Sequence, residues 1–122
     1  MTTGTTRPAV LSATTMIGDR VCNAAGEDLG KLEEIMIDYE TGRVAYAVLS
    51  FGGFLGLGDK LFAIPWSMLQ LSTEEHEFNL DVAKERLEEA PGFDKNDWPD
   101  FADRDWGEMV YGFYQITPYW RA

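Results

Sequence analysis

Two segments of this chain are apolar on both faces of the strands that they predict. In VAYAVLSF, residues 44–51, the side chains that alternate to either side of an extended backbone are mostly apolar on both sides, and KLFAIP, residues 60–65, repeats this feature. A strand of this kind has to be buried on both sides. One side therefore faces the interior of a barrel or a sandwich. The other side needs a cover, which either the rest of the chain or a second copy of it can supply.

The sequence between residues 17 and 80 predicts further strands that are separated by tight turns. Gly26 in AAGEDLG and Gly42 in DYETGR occupy positions at which a hairpin turn needs a positive φ angle. Asp38 is placed to accept backbone hydrogen bonds at the start of the second turn. PWSML predicts a corner with one helical turn and Trp66 in the core, and EFNLD predicts a last short strand.

Beyond residue 80 the apolar residues recur with a helical period. DVAKERLEEA predicts a short helix with Asp81 as its N-cap, and DRDWGEMVYGFY predicts an amphipathic helix with Asp103 as its N-cap and an aromatic face. Gly107 and Gly112 each weaken the second helix by roughly 1 kcal/mol. This helix therefore needs a surface to pack on, either the outer faces of the strands or a second copy of the chain.

The chain has 122 residues, enough for one domain with a core, and its charge narrows the choice of partners. Its net charge is −11, and 13 of its 21 acidic residues lie in residues 74–122. Such a surface repels nucleic-acid phosphates and anionic lipid headgroups, so we expect no nucleic-acid partner and no direct membrane insertion. The N-terminus lacks the pattern of a signal peptide. With a single cysteine in addition, the sequence predicts a cytoplasmic protein.

Residues that could carry out chemistry are few and isolated. His76 is the only histidine and lies among acidic residues, and Cys22 is predicted to be a buried apolar side chain. DKNDWPDFADRD lacks the glycine and the glutamate of a calcium-binding loop, and the glycine-rich stretch at residues 52–58 matches no phosphate-binding pattern. We therefore predict no catalytic, cofactor-binding or metal-binding residues, and no enzyme.

Several ordered motifs together resemble the PRC-barrel domain. They are IGDRV, GEDLGKLEEIMID, TGRVAYAVLSFGGFLGLGDK and IPWSML. The resemblance covers residues 12–80 and implies a mainly β fold, a small, strongly bent antiparallel β-barrel. We expect residues 81–122 to form an acidic, aromatic-rich helical extension (the tail) that packs on the barrel or on a second subunit, and residues 1–11 to form a mobile lead-in. The resemblance implies an adaptor or assembly module and supplies no catalytic residues.

The candidate interaction surface combines the glycine-rich loop with the aromatic residues of the tail. In the loop, glycines are expected where the chain bends, and the apolar residues between them either plug the barrel or form an exposed patch for a partner. The tail aromatics suit either packing on the barrel or an interface. The predicted surface residues are Phe54, Leu55, Leu57, Trp98, Trp106 and Phe113, and the predicted structural glycines are Gly26, Gly42, Gly52, Gly53, Gly56 and Gly58.

The sequence thus predicts a noncatalytic interaction module. We expect it to associate with itself as a homodimer and to join a protein or membrane-protein assembly. The alternative is a sensor of a small molecule or a metal, with its pocket between the barrel and the tail.

Overall fold

The computed structural model describes residues 10–52, 60–72 and 76–122, which form a seven-stranded sheet with three short α-helices. The helices are α1 (Ala13–Met16), α2 (Lys84–Glu89) and α3 (Arg104–Tyr114), and 3-10 turns lie at Trp66–Met68 and Tyr119–Arg121. The strands are β1 (Arg20–Cys22), β2 (Asp28–Asp38), β3 (Arg43–Phe51), β4 (Lys60–Pro65), β5 (Leu69–Ser72), β6 (Glu77–Leu80) and β7 (Gly92–Phe93). The mainly β class with a C-terminal helix is therefore confirmed. Of the predicted lead-in, only residues 10 and 11 are described.

The strands follow the order β5-β6-β1-β2-β3-β4-β7. Every described pair is antiparallel except β1 and β6, which run parallel. Parallel neighbours need a long connection, and here β2 to β5 lie between them in the chain. This pair differs from the expected all-antiparallel arrangement. Within the described residues β5 and β7 do not pair, so the sheet is open between its two ends.

The central strands β3 and β4 are buried on both faces, as predicted. Ala47 and Leu49 of β3 are buried, and so are Phe62 and Ile64 of β4. Tyr46, which alternates with Ala47 along β3, is buried too. The apolar pattern on both sides of these strands therefore corresponds to two covered faces.

The turn between β2 and β3 has the predicted structure. Gly42 has a φ of 77°, and its N–H donates to the carbonyl oxygen of Asp38 at 2.7 Å. One carboxylate oxygen of Asp38 accepts from the N–H groups of Glu40 at 3.1 Å and Thr41 at 3.3 Å. Gly26 has the expected positive φ as well, 84°. Both turn predictions are confirmed.

Helix α2 begins later than the sequence predicts, so the assignment of Asp81 as its N-cap is wrong. The buried side chain of Asn23 donates to the carbonyl oxygen of Val82 at 3.1 Å, and the chain stays extended up to Ala83. The first helical N–H, that of Lys84, donates to a carboxylate oxygen of Glu27 at 3.4 Å. The cap thus comes from the turn between β1 and β2, a long-range contact that a local pattern does not reveal.

Helix α3 begins as predicted, with the Asp103 carboxylate accepting from the N–H of Asp105 at 2.9 Å. The helix packs on the sheet near β4. Between the two tail helices, β7 adds a short strand to the edge of β4, where Phe93 is paired with Leu61. The sequence predicted a loop here, because two residues are too few to show an alternating pattern. The tail is thus part of the sheet as well as a cover for it.

Candidate interaction surface

The rings of the tail assemble around Tyr46 of β3. The Tyr46 ring lies 5.2 Å from Trp106, 5.4 Å from Tyr111 and 5.6 Å from Phe101, measured between centroids. All three contacts have tilted or edge-on geometry, which is favourable for aromatic pairs. The face of β3 that carries Tyr46 is therefore covered by the tail of the same chain.

The cluster extends from Tyr46 towards solvent through Phe101 and Trp98. Phe101 lies 4.8 Å from Trp106 and 6.0 Å from Trp98. The Trp98 ring also lies 5.2 Å from Phe93, and its indole N–H donates to the carbonyl oxygen of Lys95 at 2.7 Å. Trp98 nevertheless stays 39% exposed. Trp98 is therefore held by Phe93 and Lys95, while part of its side chain remains accessible to solvent.

Along α3, Trp106, Met109 and Phe113 follow the spacing that places residues on one side of a helix. Trp106 and Phe113 are half-buried, and Met109 between them is 50% exposed. The guanidinium of Arg86 lies 4.3 Å from the centre of the Phe113 ring and donates to its carbonyl oxygen. We call Trp98, Trp106, Met109 and Phe113 the tail surface.

Of the six predicted surface residues, the described ranges include Trp98, which is partly exposed, and Trp106 and Phe113, which are half-buried. The other three, Phe54, Leu55 and Leu57, fall outside the described residues, as do Gly53, Gly56 and Gly58, so the choice between a plug and a patch stays a prediction. Gly52 is exposed just beyond the end of β3. The sequence-based surface did not include Met109, which is 50% exposed and whose spacing from Trp106 and Phe113 places it on the same side of α3.

Charges around α3 are largely compensated within the chain. Arg121 forms a salt bridge with Glu108, and this hydrogen-bonded contact lowers the pKa of Glu108. The guanidinium of Arg104 lies 4.2 Å from the centre of the Trp120 ring. Three of the ten basic residues of the chain, Arg86, Arg104 and Arg121, thus lie in or next to α3.

A groove of about 450 Å³ lies between the β2–β3 hairpin and the tail. It is lined by residues 36–40 of the hairpin formed by β2 and β3, residues 99–102 of the tail, Ala45, Arg104 and Tyr119. The hydroxyl of Tyr119 donates to Asp38 at 2.7 Å and so connects the two walls. This hydrogen bond lowers the pKa of Asp38, while burial and then the bond to Asp38 raise the pKa of Tyr119.

Three buried tyrosines lie behind the tail surface and the groove. The Tyr111 hydroxyl donates to the carbonyl oxygen of Ala45 at 2.7 Å, whereas the hydroxyls of Tyr46 and Tyr114 have no hydrogen-bond partner in the described part of the chain. Burial raises the pKa of Tyr111 to about 12 and the pKa values of Tyr46 and Tyr114 further. All three stay protonated at neutral pH.

Cys22 and His76 differ in their surroundings. The Cys22 thiol is buried, and burial is the main cause that raises its pKa, while His76 is exposed on a turn. Over residues 10–52, 60–72 and 76–122, no three His, Cys, Asp or Glu side chains are grouped as metal ligands would be. No helix in these ranges is long and apolar enough to span a membrane.

Comparison with known proteins gives a family match and a distant structural relative. A family model described as "PRC-barrel domain" matches residues 8–87. No curated protein matches the chain. The solved structures include a putative 16S ribosomal RNA processing protein, RimM, from Pseudomonas aeruginosa, with 15% sequence identity and a TM-score of 0.43. That match covers 62% of this chain and 45% of the other, so the chain spans less than half of that relative.

Proposed function

Because the chain belongs to the PRC-barrel domain family, we propose that it is a noncatalytic interaction module that associates with a second copy of itself and joins a larger protein assembly. The tail surface carries this proposal. Trp98, in the loop between β7 and α3, and Met109, on α3, present apolar side chains to solvent and are 39% and 50% exposed. Aromatic residues and methionine are enriched in the buried centres of protein interfaces.

The distribution of charge favours a second copy at this surface. Two chains of net charge −11 repel each other. The repulsion is weakest where basic residues offset the acids, as Arg86, Arg104 and Arg121 do around α3. Gly112 adds room for close approach, since a Cβ atom built on it would meet no atom within 4 Å. A two-fold symmetric contact between two α3 helices is the simplest arrangement, and twofold dimers are the commonest oligomers.

The noncatalytic part of the proposal rests on the surroundings of the reactive groups. The thiol of Cys22 is buried, its pKa is raised by burial, and it accepts a hydrogen bond from the Arg20 guanidinium, which cannot act as a general base. His76 is exposed on its turn. We propose a protein or membrane-protein complex as the larger assembly and the cytoplasm as its location, because a single cysteine suits a reducing compartment. The net charge disfavours nucleic acid as a partner.

Light scattering and sedimentation over a concentration series test the self-association. Met109→Glu adds a charge at the centre of the tail surface, and we expect it to weaken the dimer by more than about tenfold, as buried charges do at interfaces. Val10→Glu is the matched control, because Val10 is 89% exposed and lies outside the tail surface. A wild-type chain that stays monomeric at high micromolar concentration would contradict the proposal, as would equal effects of the two substitutions.

A second candidate function is the sensing of a small molecule, and the groove between the hairpin and the tail favours it. Its volume of about 450 Å³ lies within the range of ligand pockets, and its lining mixes apolar and charged side chains. A thermal-shift screen against metal ions, quinones and nucleotides tests this function. A ligand at a saturating concentration has to raise the melting temperature, so a screen without any shift would count against the sensor.

A further inference from the structure

The groove between the hairpin and the tail adjoins a strand edge that has no partner in the described residues. β2 pairs with β3 along most of its length, but on its other side the contacts with β1 and the residues before it end at Leu32. Residues 33–38 of β2 therefore present an open edge in the described part of the chain. The last three residues of this edge, 36–38, also line the groove.

Two exposed side chains lie at the end of the open edge. Within the edge, the N–H of Ile35 donates to the side chain of the preceding residue, Glu34, at 3.2 Å, an exposed local contact that a pairing strand has to displace if it uses this donor. Ile37 at the end of the edge is 52% exposed, and Tyr39 in the following turn is 90% exposed. Unpaired strand edges with exposed apolar side chains are templates for a further strand.

The charge of the groove indicates which kind of chain fits. Asp38, Glu40 and Asp100 line it, and no described residue forms a salt bridge with any of them. The one basic residue in the lining, Arg104, already has its guanidinium against the rings of Tyr119 and Trp120. Arg43 adjoins the groove, with its guanidinium 5.4 Å from the centre of the Tyr119 ring, so three acidic residues face two basic ones. The groove therefore has an excess of negative charge that favours a cationic occupant.

We propose that the open edge of β2 and the groove bind an extended segment of a partner protein in which basic and apolar side chains alternate. The backbone of the segment pairs with residues 33–38, its basic side chains face Glu40 and Asp100, and its apolar side chains contact Ile37 and Tyr39. A second copy of this chain fits poorly, because its own edge carries Glu33 and Glu34. The inference rests on the proposed interaction role and specifies the chemistry of the partner.

The experiment measures binding of a fluorescent peptide in which lysine and valine alternate, with full-length protein at low ionic strength. The test variant combines Glu40→Gln with Asp100→Asn, and the matched control combines Glu88→Gln with Glu89→Gln, which removes the same charge from the exposed side of α2. We expect the test variant to raise Kd by about fivefold to twentyfold, since an exposed ion pair contributes a factor of up to about five. The control variant should change Kd less than about twofold.

Two further peptides and one small polycation separate the contributions of charge and of strand pairing to binding. A peptide with glutamate in place of lysine and a peptide with proline at every second position should both fail to bind, because the first reverses the charge and the second cannot pair with a strand. Spermine, a free polycation, should compete only weakly. Equal binding by both protein variants, tight binding of the proline peptide, competition by spermine at equal concentration, or no binding of the lysine–valine peptide would each overturn the inference.

Failure of the peptide site and failure of the self-association give different experimental results. The proposed peptide site lies within one copy of the chain, so Met109→Glu should leave peptide binding unchanged, because Met109 is not part of the groove lining. If the protein is monomeric and binds the lysine–valine peptide, the dimer proposal is wrong and the peptide site is supported. If the protein is a dimer and does not bind the peptide, the dimer is supported and the peptide site is wrong.

Discussion

The hydroxyl of Tyr111 donates a hydrogen bond of 2.7 Å to the backbone carbonyl oxygen of Ala45. Both residues are buried, and 66 positions separate them in the chain. Tyr111 belongs to α3, and Ala45 lies at the register shift where β2 and β3 pair irregularly, between Met36 and Ile37 on the opposite strand. The bond satisfies a strand carbonyl at the point where the regular pairing is interrupted. It therefore holds the tail on the sheet.

Tyr111→Phe should lower the free energy of unfolding by about 1–2 kcal/mol, because it leaves the buried carbonyl of Ala45 without its donor. Tyr114→Phe is the matched control, since the Tyr114 hydroxyl is buried without a partner among the described residues. Its removal should be neutral or stabilising. Urea denaturation curves measure both variants, and equal losses would contradict the assigned role of the Tyr111 bond.

Gly107→Ala should destabilise the protein by about 1–2 kcal/mol, although alanine favours a helix. A Cβ atom at residue 107 would lie 2.7 Å from the Tyr46 hydroxyl and 2.7 Å from the Trp120 ring, so α3 or these two side chains would have to shift out of their packed positions. Gly112→Ala on the same helix meets no such contact and should stabilise by up to roughly 1 kcal/mol. Thermal melts and tryptophan fluorescence compare the two, and changes of the same sign would argue against close packing at Gly107.

Gly42→Val should cost about 1–2 kcal/mol, because a β-branched residue is strained at a φ of 77°. Gly42→Asn is the control, since asparagine tolerates the left-handed region better than other residues with a side chain. We expect it to lose less than half as much stability. Denaturation in urea provides the measurement, and a valine variant as stable as the wild type would refute the turn.

The contact between Tyr119 and Asp38 should make stability depend on pH. The hydrogen bond from Tyr119 lowers the pKa of Asp38 in the folded chain, so its contribution is full above the unfolded value of roughly 4 and is lost as the pH falls through the lower folded value. The difference in urea midpoint between wild type and Tyr119→Phe should therefore be larger at pH 7 than at pH 3.

Tyr39→Phe is the control for this pH effect, because Tyr39 is almost fully exposed and its hydroxyl forms no hydrogen bond to a described residue. Its difference from wild type should be small at both pH values. A Tyr119→Phe difference that is the same at pH 7 and pH 3 would show that the ionised carboxylate of Asp38 does not strengthen the contact.

Patterns within single segments predicted the local structure. The alternation in residues 44–51 and 60–65 indicated strands buried on both faces, and Gly42 with Asp38 indicated the turn between β2 and β3. Asp103 and the helical spacing after it located α3. Each of these features depends on neighbours in the chain, through side-chain direction, allowed φ angles or a capping hydrogen bond. The PRC-barrel resemblance followed from the same ordered motifs.

Contacts between distant segments could not be read in this way. The sequence left open whether the tail or a second copy covers β3, and packing of Trp106 and Tyr111 on Tyr46 decided it for that face. Glu27 caps α2 in place of Asp81, and Tyr119 meets Asp38 across the groove. Composition and spacing determined which surfaces have to be buried. Only the tertiary structure determined what buries them, because that choice depends on the shapes and chain connections that bring remote residues together.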